Sequence, residues 1–294
     1  MSTPRYQKLA VIFGCNYYGQ NSLHGCINDA NAIKEFLISK RGFEPSNVLT
    51  VYDKKMTRRT MFKTLEDLSS QTFAIAKREM VPAVFLYYSG HGVQVPDRKN
   101  IESDGAAEAL VPYDFEKSEL IVDHELFDRF IKKLHPASEL FLFTDCCNSG
   151  TNFNLAYNGM SRAYENHDIA VNVIGLSGCS DTQTSAEISG RGLATMAFIK
   201  SMERPAKVAN IADFRKAMAD VSIPGHLQTP QVSVSNKKLV TGKLFNWLIE
   251  DKREAQLSQR ELQRLAKQHK HRFFIDWVGQ GLLQLTGRRS FLQA

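Results

Sequence analysis

A chain of 294 residues, 43% of them hydrophobic, is long enough to bury a sizeable core and suits one large α/β domain or two small ones. The opening residues, Met1 to Tyr6, lack the apolar run of a signal peptide, and no stretch approaches the ~20 apolar residues that span a bilayer, so a cytosolic location is expected. The formal charge of +6 is concentrated late, because from Glu250 onward nine Lys/Arg stand against five Asp/Glu.

Leu9-Ala10-Val11-Ile12-Phe13 is a continuous apolar run of the kind that forms a strand covered on both faces. Gly14 to Gly25 reads as a polar loop, and Asn28-Asp29-Ala30 starts a helix with Ile33, Phe36 and Leu37 on its apolar stripe. A second strand is predicted over Val48–Tyr52, a helix over Thr60–Lys77 and a third strand over Val84–Tyr88. A loop is expected from Val93 to Asp114, with Leu110-Val111-Pro112 as a short extended piece, and then a helix from Asp123 to Leu134. The fourth strand starts at Leu140 and carries Cys147 at its carboxyl end, and the Asn- and Gly-rich segment 151–168 is expected to be an exposed linker. A fifth strand (Ala170–Ser177), two helices (Leu193–Met202 and Asp213–Val221) and a sixth strand (Gln231–Ser235) complete the pattern of a doubly wound sheet. Leu262, Leu265, Ala266, His269, Phe273 and Trp277 have helical spacing among basic residues. Such a helix suits packing on the main domain, or contact with an acidic partner, nucleic acid or a membrane surface; no named nucleic-acid-binding motif is present, and no nucleic acid is expected as a partner.

Two strand ends carry reactive side chains. Tyr87-Tyr88-Ser89-Gly90-His91-Gly92 delivers an imidazole, and Thr144-Asp145-Cys146-Cys147 delivers a thiol, at the sheet edge where α/β proteins bind ligands. A free thiol titrates near ~8.5, so an imidazole beside it is the natural acceptor of its proton. The N–H groups of Gly92 and of the nucleophile can face a developing oxyanion. The residues alone do not choose between Cys146 and Cys147. Five cysteines (Cys15, Cys26, Cys146, Cys147 and Cys179) with no CxxC pair argue against a disulfide framework or a zinc site, and all five are expected to be reduced.

The blocks Asn16-Tyr17-Tyr18-Gly19-Gln20, Leu23-His24-Gly25-Cys26-Ile27-Asn28-Asp29-Ala30, Tyr88-Ser89-Gly90-His91-Gly92, Pro112-Tyr113-Asp114, Asp145-Cys146-Cys147, Leu176-Ser177-Gly178-Cys179 and Asp181-Thr182-Gln183-Thr184-Ser185 resemble the caspase-haemoglobinase group, and within it the metacaspases, close to the type I kind without a pro-domain. The resemblance spans about residues 5 to 240. It implies an α/β, caspase-like three-layer sandwich with a mostly parallel six-stranded central sheet flanked by helices. It also implies a peptidase domain over 1–249, made of a large-subunit-like part (1–150), the 151–168 linker and a small-subunit-like part (169–249); outside the resemblance, charge and spacing give a basic helical extension over 250–294. The implied activity is a monomeric thiol endopeptidase cutting protein or peptide substrates after Arg or Lys, with His91 as base, Cys147 as nucleophile and a substrate pocket at Cys26, Asp29, Ser89 and Asp145. Two carboxylates in a cleft suit a guanidinium or ammonium group.

Two positions depart from the family pattern. Asn148 stands where His usually follows the nucleophile, and the four aspartates that bind calcium in many relatives match Ala107, Asp123, His124 and Asn154. With one acidic ligand left of four, no cofactor is expected and calcium should be neither bound there nor needed. Arg162 is the natural candidate for self-cleavage. The rival expectation is an inactive caspase-fold scaffold that binds a partner through its basic C-terminal tail.

Overall fold

Apolar strand runs separated by amphipathic helices produce a sheet covered on both faces. The computed structural model describes residues 4–99, 105–146, 153–158, 161–164, 169–178, 191–203, 207–219 and 230–250. The chain divides into two compact units, Met1–Glu250 and Asp251–Ala294, and every described residue belongs to the first. The expected C-terminal helix therefore lies outside the described residues.

In chain order the elements are β1 (Tyr6–Gly14), α1 (Cys26–Arg41), β2 (Val48–Tyr52), α2 (Arg58–Ala76), β3 (Val81–Ser89), β4 (Gly92–Pro96), β5 (Ala106–Leu110), β6 (Ile121–Val122), α3 (Asp123–Arg129) and β7 (Glu139–Asp145). They continue with β8 (Tyr157–Asn158), β9 (Ser161–Arg162), β10 (Asn172–Ser177), α4 (Leu193–Met202), α5 (Ile211–Ala219), β11 (Gln231–Val234), α6 (Lys237–Val240) and α7 (Asn246–Ile249). The main sheet has the order β2-β1-β3-β7-β10-β11-β8-β9. Its first five strands are parallel, and β11, β8 and β9 are joined antiparallel.

The sheet is thus eight-stranded and mixed, not six-stranded. The two additional strands come from the segment expected to be an exposed linker, where Phe153, Asn154, Leu155, Ala156 and Tyr157 are buried. Strands of two residues are too short to carry a readable alternation. The expected loop from Val93 to Asp114 likewise contains β4 and β5, which with β6 form a separate three-stranded antiparallel sheet. The helix expected from Asp123 to Leu134 ends at Arg129 and passes into a 3-10 turn at Ile131–Lys133. Among the described residues no helix is long and apolar enough to cross a membrane.

Strand alternation sends side chains to opposite faces. On β3, Phe85 and Tyr87 join one apolar cluster with Ile33 and Leu37 of α1, Phe198 of α4 and Phe214 of α5. Val84, Leu86 and Tyr88 join the other with Met61 and Leu65 of α2 and Leu126 of α3. Phe85 stacks on Phe141 of β7 at 5.4 Å, and Phe198 closes on Phe143 at 5.2 Å. Each fully buried side chain of this size stabilises the fold by about 1.5–3 kcal/mol relative to exposure. The two apolar layers hold the parallel strands in fixed register, and the carboxyl ends of β3 and β7 emerge side by side.

Candidate active site

The register at that edge pairs Tyr88 with Thr144 and Ser89 with Asp145. The amino end of α1 reaches the same place because β1 ends in glycine: a Cβ on Gly14 would stand 2.9 Å from Ala30 Cβ and 3.2 Å from the Cys26 carbonyl oxygen. This close approach brings Cys26 and Asp29 to the strand ends. Cys26, Asp29, Ser89 and Asp145 are all buried.

The start of α4 lies against both carboxylates. Asp29 Oδ2 accepts the Gly192 N–H at 2.8 Å. Asp145 Oδ2 accepts the Thr195 N–H at 3.0 Å and the Thr195 hydroxyl at 2.7 Å. Since that hydroxyl's proton goes to Asp145, the Tyr87 hydroxyl donates to Thr195 Oγ1 at 2.6 Å. A Cβ on Gly192 would overlap Asp145 Oδ2 and lie 3.0 Å from Asp29 Oδ2, so both carboxylates contact one glycine. Burial first, and then the charges of Asp145 and Asp29, raise the Tyr87 hydroxyl well above the ordinary tyrosine value. A cavity of about 270 Å³ opens beside Asp29, bordered by Arg191, Thr195, Met196 and Lys200.

His91 lies between the end of β3 and the start of β4. Its Nε2 is 2.7 Å from the carbonyl oxygen of Asn21, the last residue of a 3-10 turn over Gly19–Asn21. A carbonyl only accepts, so Nε2 carries the proton and the ring's lone pair is on Nδ1. The His91 carbonyl accepts the Val111 N–H at 3.2 Å. Antiparallel alternation then makes Gly92 and Leu110 the non-hydrogen-bonded pair, with the Gly92 N–H directed away from β5.

Of the residues singled out in the sequence, the fold gathers Cys26, Asp29, Ser89 and Asp145 at one edge, with His91 two residues beyond Ser89. Cys147 and Asn148 lie outside the described residues, as does Cys179. Cys146 is buried just after β7, and Cys15, Cys26 and Cys146 form no disulfide. Burial raises the Cys15 thiol to about 12, which keeps it protonated and chemically quiet. Arg162 sits in β9, paired with Tyr157, its guanidinium 5.7 Å from the Tyr157 ring centre. Tyr17, Asn21, Gly192 and Thr195 were assigned no role from sequence. A Gly-x-x-Thr at a helix start was the one available signal, and it marks a helix start without naming what that start contacts.

The four positions matching the calcium ligands of relatives offer a methyl group, a carboxyl, an imidazole and an amide. Asp123 is buried and accepts the N–H groups of His124 at 2.5 Å and Glu108 at 3.4 Å. Desolvation by burial pushes its pKa up to about 6. One carboxyl beside a methyl group, an imidazole and an amide is a poor donor set for a hard cation that takes six to eight oxygen ligands. Among the described residues, no group of three or more His, Cys, Asp or Glu is arranged to hold a metal.

Comparison with known proteins adds three findings. The family model for the metacaspase, peptidase C14 domain matches residues 8–156. Metacaspase-1 of Yarrowia lipolytica is 27% identical over 78% of this chain and 62% of its own length, so the chain spans about three fifths of that relative. Among solved structures, a Geobacter sulfurreducens protein superposes with a TM-score of 0.59 at 20% identity, covering 82% of this chain and 98% of that one. Caspase-1 from Spodoptera frugiperda does so with a TM-score of 0.51 at 12% identity, covering 82% and 92%. At these identities the two structures speak to the fold alone, which is caspase-like.

Proposed function

Because the chain belongs to the metacaspase family, we propose that it is a cysteine endopeptidase that hydrolyses peptide bonds after Arg or Lys. The observation that carries this reading is the parallel register of Ser89 with Asp145. His91 and Cys147 each stand two residues beyond one member of that pair in the sequence. The strands that lead to the base and to the nucleophile therefore end side by side, at Ser89 and Asp145, next to two buried carboxylates.

In the proposed reaction, the Cys147 thiol gives its proton to Nδ1 of His91, the nitrogen left basic by the bond between Nε2–H and Asn21. The thiolate attacks the scissile carbonyl, and the N–H groups of Gly92 and Cys147 hold the oxyanion. The imidazolium returns its proton to the leaving amine, which departs and leaves a thioester. Water, deprotonated by the imidazole, then attacks the thioester, releasing the acid and regenerating the thiol. The substrate's Arg or Lys is placed against Asp29 and Asp145, flanked by Cys26 and Ser89, where charge-assisted bonds in a dry site are strong.

The reading includes independence from calcium, supported by the donor set at Ala107, Asp123, His124 and Asn154. It also includes a cytoplasmic location, and a monomer, which is supported by β8 and β9 covering the β11 edge that would otherwise be open for pairing with a second copy. A positional-scanning peptide library, assayed with wild type and Cys147→Ala, tests the activity. Turnover confined to basic residues before the cleaved bond, and lost in Cys147→Ala, is the expected result. Equal signal from both proteins would favour the inactive scaffold instead, a reading supported by Asn148, by the changed calcium-ligand positions and by the engagement of both carboxylates at the start of α4.

A further inference from the structure

Resting on the reading of His91 as the base, we propose that Tyr17 and Tyr88 are positioning residues: their two hydroxyls grip the His91 peptide from both sides and thereby set where the imidazole stands. The Tyr17 oxygen accepts the His91 N–H at 3.2 Å, and the Tyr88 hydroxyl donates to the His91 carbonyl at 2.7 Å. Val111 completes the ring: its carbonyl accepts the Tyr17 hydroxyl at 2.6 Å, and its N–H is shared between the Tyr88 oxygen and the His91 carbonyl, each at 3.2 Å. Each hydroxyl has one proton to give, and this is the assignment in which both protons go to the shorter of the available carbonyl contacts.

The ring is built at a cost. Tyr17 has φ 54°, in the left-handed region that bulky side chains avoid, and such a residue persists only where its surroundings over-determine it. Its ring also backs the imidazole, with centroids 4.7 Å apart. At position 90 a Cβ would meet the Tyr88 hydroxyl at 2.7 Å and the Tyr17 hydroxyl at 2.9 Å, so only glycine lets both hydroxyls reach the peptide that follows. Both phenols are buried, and desolvation lifts their pKa values far above the ordinary range, so the hydroxyl protons stay in place. The consequence is a rigid backbone at the one residue whose ring must face the nucleophile. A small misplacement there lowers the rate without touching the substrate's binding groups.

Tyr17→Phe and Tyr88→Phe each remove one oxygen and leave the ring. Steady-state kinetics on an arginyl fluorogenic peptide, with pH profiles of kcat/KM, are compared for wild type, both variants and Cys147→Ala, and Tm is recorded for each. The expected result is a fall in kcat of about tenfold or more at nearly constant KM, with a displaced acidic limb of the profile. Folded variants with the wild-type kcat and pH profile would overturn the proposal. Long-range 1H–15N spectra of the His91 ring give a reading that needs no activity: one tautomer in wild type, and mixed tautomers or a shifted titration in the variants. Unchanged ring resonances would also overturn it. A wild type no more active than Cys147→Ala overturns the peptidase reading alone, and the spectra then decide the positioning role separately. If either Phe variant does not fold, Gly90→Ala, which pushes the hydroxyls away without removing them, is read in its place against the same outcomes.

Discussion

Asp145 at the end of β7 and Thr195 in the first turn of α4, 50 residues apart in sequence, are joined twice, through the backbone N–H at 3.0 Å and the hydroxyl at 2.7 Å. Both bonds end on the same carboxylate oxygen, so the helix that follows β10 is fastened to the strand that precedes the nucleophile. The contact is buried, and a hydrogen bond to a charged group in such a place is worth about 1.5–3 kcal/mol. Thr195→Val removes the hydroxyl, keeps the branched shape and takes one partner from the Tyr87 hydroxyl. It is expected to lower stability by about that amount in urea unfolding, while Thr195→Ser stays close to wild type. Equal midpoints for Val and wild type would mean that the backbone N–H alone secures the helix.

Removing the pocket charge tests specificity. Asp29→Asn keeps an acceptor for the Gly192 N–H while deleting a negative charge next to Asp145. Loss of one partner from a desolvated charge pair costs about 2–5 kcal/mol, and kcat/KM for arginyl and lysyl peptides should fall accordingly. Kinetics on both peptides measure it; a change below about twofold would remove Asp29 from substrate binding.

Gly192 separates the two carboxylates, and a methyl group there would overlap Asp145 Oδ2. Gly192→Ala is therefore expected to displace Asp145, lowering Tm and raising KM for basic substrates together. A drop in Tm with unchanged KM would assign Gly192 to folding alone.

Asp123 makes stability depend on pH. Its carboxyl titrates near 6 in the folded chain, against an ordinary 3.8, because burial disfavours the charge. Between those values the native state holds a proton that the unfolded chain has released, so this group's contribution to stability falls as pH rises through the interval and stays low above it. Asp123→Asn, neutral at every pH, should gain about 1–3 kcal/mol over wild type near pH 8 and little near pH 4. Urea unfolding at the two pH values decides; a constant difference would place the origin elsewhere.

Calcium should be without effect. Initial rates in chelator and in millimolar calcium are expected to agree within about twofold, since Ala107 and His124 supply no carboxylate oxygen. Strong activation by calcium would refute the prediction.

The main-sheet strands β1, β2, β3, β7, β10 and β11 and the helices α1, α2 and α4 were legible in the chain alone. Apolar runs such as Leu9–Phe13 and the stripe at Ile33, Phe36 and Leu37 write burial directly into local spacing, and the periods of strand and helix are properties of neighbouring residues. The helix at Leu193–Met202 begins and ends where its spacing predicts. What tertiary structure alone decided is of another kind. The two-residue strands β8 and β9 exist because a sheet edge was there to pair with, and β4, β5 and β6 form a sheet only by pairing with one another. The grip of Tyr17 on the His91 backbone, and of Thr195 on Asp145, joins groups far apart in sequence. Contacts of that kind have no period and leave no local trace; they appear only when the packed layers bring the strand ends together.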